Sequence, residues 1–433
     1  MGRNSRFALK PSSLRPLRGG GRGQGDRFET SPLPHISNAC FRDVMPKGLI
    51  SCCLASGHPA GFISGYLLCT ILVVIAVFGL FSPGCHAAEG WKEATTPRQW
   101  SFPRDHGSHP EYRTEWWYFT GNLQDGTKNR YGYQLTFFRY GLVLQPKSPA
   151  NAWSIRDVYL AHFALTDGAR NAFHHAERVS RTGPGLAGAK EKGIHVRVLG
   201  WSAAMEGKRI DLAASHGAMA LALRLTPAKP LVFHGEKGLS RKGPGSGEAS
   251  YYYSFTDLRT EGTIGVPGMK APVAVGGTSW FDQEFGSNQM SRDKAGWDWF
   301  ALHLSDGRDL MVYSLRKKDG TVEKESSGTL VERDGTSRHL RLSDIETTVL
   351  SYWKSGKSAG RYPAAWRIRI PVAGIDVTVN PLVAGQELVT TAAAPITYWE
   401  GAVTGRGTSQ GSEVTVEGYV ELTGYAGTLG GIF

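Results

Sequence analysis

From residue 90 onward, apolar and polar side chains alternate in short runs broken by reverse turns, and the three-to-four-residue spacing of an amphipathic helix is hard to find. Glu115–Asn122 and Tyr131–Tyr140 flank Gln124-Asp125-Gly126-Thr127, which is hairpin chemistry because Asp-Gly tolerates a positive φ. Asp157–Thr166 runs into Asp167-Gly168. His195–Met205 turns at Glu206-Gly207 into Arg209–Ala214, and Gly217–Leu225, Tyr251–Asp257 and Val273–Phe285 follow. Further on, Trp297–Ser305, Asp309–Leu315, Thr321–Glu332 and Ser337–Leu342 are separated by Asp306-Gly307, Asp319-Gly320 and Asp334-Gly335. Ile345–Trp353, Ala365–Pro371, Ile375–Val379, Thr397–Thr404 and Val414–Leu422 continue the series. This cadence predicts antiparallel meanders, and strands so spaced close naturally into small up-and-down barrels.

An internal echo predicts two such units. Trp116–Gly126 (WWYFTGNLQDG) and Trp297–Gly307 (WDWFALHLSDG) share Trp116/Trp297, Phe119/Phe300, Leu123/Leu304, Asp125/Asp306 and Gly126/Gly307 without gaps. Each is followed by a strand ending in an arginine, Arg139 or Arg316, and the seam between the units falls near Gly286–Gly296.

The first 88 residues read differently. Met1–Lys47 is rich in Arg, Gly, Pro and Ser without periodicity, which is the pattern of a disordered leader; Met45 is a plausible alternative start. No charged residue lies between Lys47 and Glu89, and Phe62–Phe81 within that gap is strongly apolar. Pro83-Gly84 then breaks the segment, and Cys85-His86-Ala87 approximates a small-x-small cleavage site. A cleaved signal peptide, an uncleaved anchor and a lipoprotein all fit, since about 20 apolar residues can also span a bilayer. Each exports the body, to the periplasm or the outside of the cell.

The formal charge of +11 mostly belongs to this leader and gives no clustered basic face for nucleic acid. All five cysteines precede Ala87. The body therefore has no disulfide, no cysteine nucleophile and no Cys-ligated zinc.

Candidate chemistry is sparse and aromatic. On a strand Glu115, Trp117 and Phe119 share one face, and Trp116 and Tyr118 the other, so neither face of Glu115-Trp116-Trp117-Tyr118-Phe119 is simply solvent-facing. A carboxylate on an aromatic face is costly unless paired. The segment is either a cavity wall or an interface strand whose Glu115 pairs with an arginine such as Arg113 or Arg139. In Ser279–Phe285, Trp280, Asp282 and Glu284 share a face. An aspartate set between aromatics, two residues from a glutamate, can have a raised pKa and stay protonated near neutrality. His162 is either a buried structural histidine or a base. His174-His175 places one ring on each face, no His-Glu-x-x-His occurs, and no metal site is expected. Asp298 and His303 fall on opposite faces of one strand. Gly356–Gly360 and Gly407–Gly411 match Gly-x-Ser-x-Gly by letter, but both sit in turns between strands, not at a strand-to-helix elbow. Gly238–Gly247 is a loop that could gate a pocket.

Several of these segments carry a family resemblance. Glu115-Trp116-Trp117-Tyr118, Gly132–Phe138, Ala161-His162-Phe163-Ala164, Gly277–Gly286, Gly296–Leu304 and Tyr398-Trp399-Glu400-Gly401 resemble the carotenoid 1,2-hydratases and AttH-type secreted proteins, over roughly residues 98–433. The resemblance implies an all-β fold of two lipocalin-like antiparallel barrels. It also implies that enzymatic members hydrate an isolated carotenoid double bond without a cofactor. Trp280-Phe281-Asp282 looks like the family's aromatic-plus-aspartate motif, which makes Asp282 the candidate proton donor. Exported relatives often look like partners of ABC transport systems.

The expected organisation is a basic leader (1–60), a signal peptide or membrane anchor (61–88), and two lipocalin-like domains (98–286 and 287–433). The expected function is binding of a lipid or isoprenoid, beside an ABC transporter. The alternatives are a cofactor-free hydratase, a hydro-lyase using Asp282, and a carbohydrate-stacking module. Glu115, Trp116, Trp117, Tyr118, His162, Trp280, Glu284, Trp297 and Trp299 are the expected ligand contacts.

Overall fold

The alternation resolves into two antiparallel sheets, each curled into a barrel around its own apolar core. The computed structural model describes residues 90–144, 155–390 and 396–427. The expected leader and the apolar segment Phe62–Phe81 lie outside these residues. Helix among them is confined to three single 3₁₀ turns, Arg104–His106, Leu342–Asp344 and Pro371–Ala373. None is long and apolar enough to cross a membrane.

Among the described residues the first sheet has 13 strands. Its first strand, Thr114–Asp125, lies between the second, Arg130–Gly141, and the last, Val273–Gly286. The second sheet, with 10 strands among the described residues, repeats this plan. There Lys294–Leu304 lies between Asp309–Lys317 and the final strand Ser412–Leu422. Trp116 and Trp297 thus occupy the first strand of their sheets, opposite Phe138 and Leu315 respectively. Carrying the register across to the last strands, Tyr118 stands opposite Asp282, and Trp299 opposite Glu421.

Two local differences from the sequence reading have physical causes. The strand read as Tyr251–Asp257 runs from Ala249 to Gly265, because a bulge between Phe255 and Leu258 absorbs the irregular residues and pairing resumes beyond it. In the first hairpin the positive φ falls on Lys128, not on Gly126, because the Asp125 carboxylate accepts the N–H groups of Thr127 and Asn129 and shapes a longer loop. At Asp167-Gly168 the positive φ likewise falls beyond the glycine, on Asn171, whereas the three Asp-Gly turns of the second sheet behave as read, with φ near +90° at Gly307, Gly320 and Gly335.

Each barrel interior is filled by side chains. Trp117, Phe119, Leu135, Phe163, Trp201 and Phe281 are among those that pack the first, and Phe300, Leu302, Trp366, Ile368 and Trp399 among those that pack the second. A third apolar cluster, including Tyr118, Tyr252, Trp280, Trp299, Tyr313 and Tyr419, joins the two sheets along their outer faces. The approach there is close: a Cβ on Gly132 would stand 2.5 Å from Cβ of Ala402 in the other sheet. Hydrogen bonds cross the same seam from Asn122 Nδ2 to the Gly418 carbonyl (2.9 Å) and from Thr166 Oγ1 to Gln386 Oε1 (2.6 Å).

Candidate active site between the sheets

Strand alternation decides what faces the seam. Because Trp117 and Phe119 fill the first barrel, Trp116 and Tyr118 point out of it. On the neighbouring last strand Phe281 points inward, and Trp280, Asp282 and Glu284 point outward. On Lys294–Leu304, Phe300 and Leu302 fill the second barrel, so Trp297 and Trp299 turn toward the first sheet. The facing surfaces enclose a partly open cavity of about 120 Å³. Its walls include Trp116, Tyr118, Trp297, Trp299, Phe138 and Leu160, and its polar groups include Asp282, Glu284, His162, Tyr252, Glu400 and Glu421. The cavity is therefore bounded by both barrels and lies inside neither.

Asp282 is 4 % exposed and is held by three donors. Trp280 Nε1 (2.6 Å) and the Ser254 hydroxyl donate to Oδ1, and the Tyr252 hydroxyl donates to Oδ2 (2.7 Å). Burial pushes the Asp282 carboxyl up to about 7, against the pull of Ser254, Tyr252 and Trp280 toward the charged form; the negative charge of Glu284 adds to the rise. The supporting bonds continue outward. Trp299 Nε1 donates to the Tyr252 hydroxyl (3.1 Å), and His234 Nε2 lies 2.6 Å from Ser254 Oγ. Burial holds His234 neutral, down at about 3. With Ser254 donating to Asp282, His234 Nε2 carries the hydrogen toward Ser254, and Nδ1 accepts from Thr329 of the second sheet (2.9 Å).

The other carboxyls differ in their partners. Glu284 is paired with Lys242 (3.0 Å), whose ammonium also lies 4.4 Å from the Tyr313 ring centroid. Glu421 accepts from Trp297 Nε1 (2.9 Å) and is pushed up to about 7, by burial first and then by the charges of Asp282 and Glu284. Glu400 sits directly opposite Glu421 in the register and is held well above the ordinary carboxylate range, by burial first and then by Glu421. Among the described residues neither Glu400 nor Glu421 has a cationic partner. His162 Nδ1 lies 2.7 Å from the Tyr398 hydroxyl, and burial keeps this imidazole neutral, down at about 4.

Three expected contacts are placed elsewhere. Glu115 and Trp117 lie on the opposite face of their strand from the cavity. Glu115 is fully buried and accepts from His109 (2.7 Å), Arg139 Nε (3.2 Å) and Gln283 Nε2 (2.9 Å). Burial alone would raise its carboxyl, but His109 and the Arg139 guanidinium hold it below its usual range. Trp117 packs in the first core. Trp280 does not form the cavity wall; it braces Asp282 from behind and meets Trp299 edge-on, with 6.3 Å between ring centroids. Trp116, Tyr118, His162, Glu284, Trp297 and Trp299 do line the cavity, together with Asp282.

The serine motifs resolve into structural turns. Ser358 donates to Glu387 and Ser409 to Asp306, so both hydroxyls are tied to carboxylates. Asp298 pairs with Arg316 (2.9 Å) on the face away from His303, which itself lies 3.0 Å from Asp309.

The polar cavity residues that were not singled out as contacts in the sequence include Lys242, Tyr252, Glu400 and Glu421. Glu400 lies within a quoted motif. Glu421 could have been reached by carrying the Trp116/Trp297 correspondence across to the last strand of each sheet. Lys242 is contributed by the Gly238–Gly247 loop, which folds against the seam.

The AttH-like family profile matches residues 93–425. The fold is shared with the crystal structure of an AttH-assigned protein of Nitrosomonas europaea. That protein is 33% identical, and the match covers 77% of this chain and 99% of that one with a TM-score of 0.68. Kievitone hydratase of Nectria haematococca, 17% identical, matches over 78% of this chain and 97% of its own with a TM-score of 0.59, a likeness of fold alone. A search of curated proteins finds no match.

Proposed function

The chain belongs to the AttH-like family, and from that premise we propose that the cavity between its two sheets is the site of a cofactor-free hydration of a carbon–carbon double bond in an isoprenoid-class molecule. The observation that carries this reading is Asp282: a buried carboxyl in an aromatic cavity, poised at about 7. A binding pocket for an apolar molecule gains nothing from such a group, because burying a carboxylate is costly. An unactivated alkene must take a proton on carbon first, and a carboxyl that is substantially protonated near neutrality can deliver it.

The geometry suggests how the proton is carried. Oδ1 faces an indole N–H, which can only donate, so the acidic proton belongs on Oδ2, beside the Tyr252 hydroxyl. Transfer to the less substituted alkene carbon leaves a tertiary cation, and the faces of Trp116, Tyr118, Trp297 and Trp299 offer electron-rich walls to it. Water then adds to the cation and loses a proton. A cavity of about 120 Å³ suits one branched five-carbon unit; a cavity of about 150 Å³ is known to hold benzene. The rest of a longer substrate would extend through the open side.

The test is turnover of an isoprenoid alkene panel, lycopene and geranylgeraniol included, in deuterium oxide. Deuterium should enter at the carbon next to the new alcohol, and Asp282→Asn should lower the rate by roughly 10²–10⁴-fold, the size of a lost general acid. Equal turnover by the variant would remove the hydratase reading.

A second reading is a carrier for a lipid or isoprenoid, working beside a membrane transporter after export. The apolar lining from Phe138, Leu160, Met290 and Leu315 favours it. A carrier would retain its cargo in native mass spectrometry whether or not Asp282 is changed. The carbohydrate-stacking alternative loses support, because none of the strongly exposed large hydrophobic side chains among the described residues is a tryptophan.

A further inference from the structure

The two halves of the cavity are not equally furnished. Around Asp282 both oxygens have donors. Around Glu400 they do not. Both Glu400 oxygens, the Tyr118 hydroxyl, Gln134 Oε1 and His162 Nε2 are buried without a hydrogen-bond partner, although the Tyr118 and Tyr398 hydroxyls stand near enough to Glu400 to favour its charged form. All five residues line the same cavity. Gln134 and His162 both reach the Tyr398 hydroxyl, at 3.3 and 2.7 Å, so the unpartnered atoms belong to one contiguous group. Buried polar groups rarely go unsatisfied, and a cluster of donors and acceptors at one end of a cavity is what an ordered water requires.

We propose that Glu400, Tyr118, Gln134 and His162 hold the nucleophilic water, and that Glu421, beside Glu400, is the general base that takes its proton. The proposal rests on the hydratase reading for its chemistry, and on the unpartnered atoms for the water itself. The atoms balance as follows. The Asp282 proton passes to the alkene carbon. The water oxygen forms the new C–O bond to the resulting cation as one of its protons passes to the carboxylate of the Glu400–Glu421 pair. That proton leaves to solvent when the product departs, and Asp282 regains one from solvent. Two carboxyls side by side, Glu400 fully buried and Glu421 half-buried, share a single proton more readily than they hold two charges, so the pair offers one acid and one base near neutrality. Its placement matches the fold: Glu421 stands opposite Trp299 in the second sheet as Asp282 stands opposite Tyr118 in the first.

Three measurements on the full chain test this, and the first and third do so separately from the reading on which it rests. A high-resolution crystal structure should show an ordered water within hydrogen-bond distance of Glu400 and of Gln134 or His162; a dry site would overturn the proposal whatever the protein's activity. In the hydration assay, Glu421→Gln should lower kcat by roughly 10²–10⁴-fold and erase the acidic limb of the pH profile, while the water stays in place. If Asp282→Asn abolishes turnover and Glu421→Gln keeps the acidic limb, the assignment of the base is wrong and the acid stands. If the wild-type protein hydrates no member of the panel, infrared difference spectra decide. In the Asp282→Asn background, which removes the Asp282 band, a carboxyl band titrating near neutrality and lost on adding either Glu421→Gln or Glu400→Gln supports the coupled pair, and its persistence in both contradicts it.

Discussion

Two carboxyls on adjacent strands of one sheet have opposite fates. Glu115 and Asp282 belong to Thr114–Asp125 and Val273–Gly286, which pair directly, and both are buried. Glu115 faces a charged network: Arg139 reaches it and also Asp157 (3.0 Å), and His109 bonds it from the chain segment that precedes the strand. Asp282 faces the seam, where its three donors are all neutral. Burial pushes both carboxyls upward. A full cation and a histidine reverse that push at Glu115; neutral hydroxyls and an indole do not reverse it at Asp282. Desolvation alone therefore does not identify a catalytic acid. The lack of a cation bonded directly to the carboxyl does, together with the cavity that it faces.

The largest effect should come from breaking the paired side. Arg139→Met leaves Glu115 and Asp157 buried without their shared partner, and denaturant unfolding should show a loss of about 3–5 kcal/mol. A loss below about 1 kcal/mol would mean that Glu115 is neutral in the fold and that the contrast is false.

The next effect is a pH slope. Asp282 binds its proton more tightly in the folded chain (about 7) than its ordinary value of 3.8 would allow. Its contribution to stability is thus fully present below about pH 4 and is lost as the pH rises through about 7, by an amount on the order of 4 kcal/mol at most. Asp282→Asn should flatten that decline in unfolding experiments run between these limits. Glu115 has the opposite sign: its lowered pKa gives stability above its unfolded value that is lost as the pH falls. An unchanged slope in Asp282→Asn would contradict the raised pKa.

The smallest effect sharpens the acid itself. Trp280→Phe removes the indole donor and keeps an aromatic ring against Trp299. One lost hydrogen bond to a charged group should move the Asp282 pKa further up by roughly one unit. The basic limb of the hydration profile should follow it; a downward move would mean that Trp280 does not stabilise the ionised form.

Much of this contrast was legible in the sequence. Strand alternation alone separated Trp116 and Tyr118 from Trp117, and set Asp282 with Trp280 and Glu284. Arg139 was already a named candidate partner for Glu115. The location of the cavity was not legible, because alternation says which residues leave a barrel but not which outer faces meet. Glu421 lies between Val420 and Leu422 and reads as a solvent-facing position until the second sheet is laid on the first. Lys242 sits in a glycine-rich loop, and only the packing of that loop against Tyr252 and Tyr313 reveals a buried cation. Trp280 reads as a ligand contact for the same reason that it serves as a brace: alternation gives a shared face with Asp282, not the distance to a ligand.

The central claim is that Asp282 is a neutral acid in a cavity shared by two barrels. Its most direct test is a carbon-13 NMR titration of the aspartate carboxyls in the full chain, with the Asp282 resonance assigned by its absence from Asp282→Asn. The account predicts a midpoint near 7. A midpoint near 3.8, the ordinary value for aspartate, would contradict it.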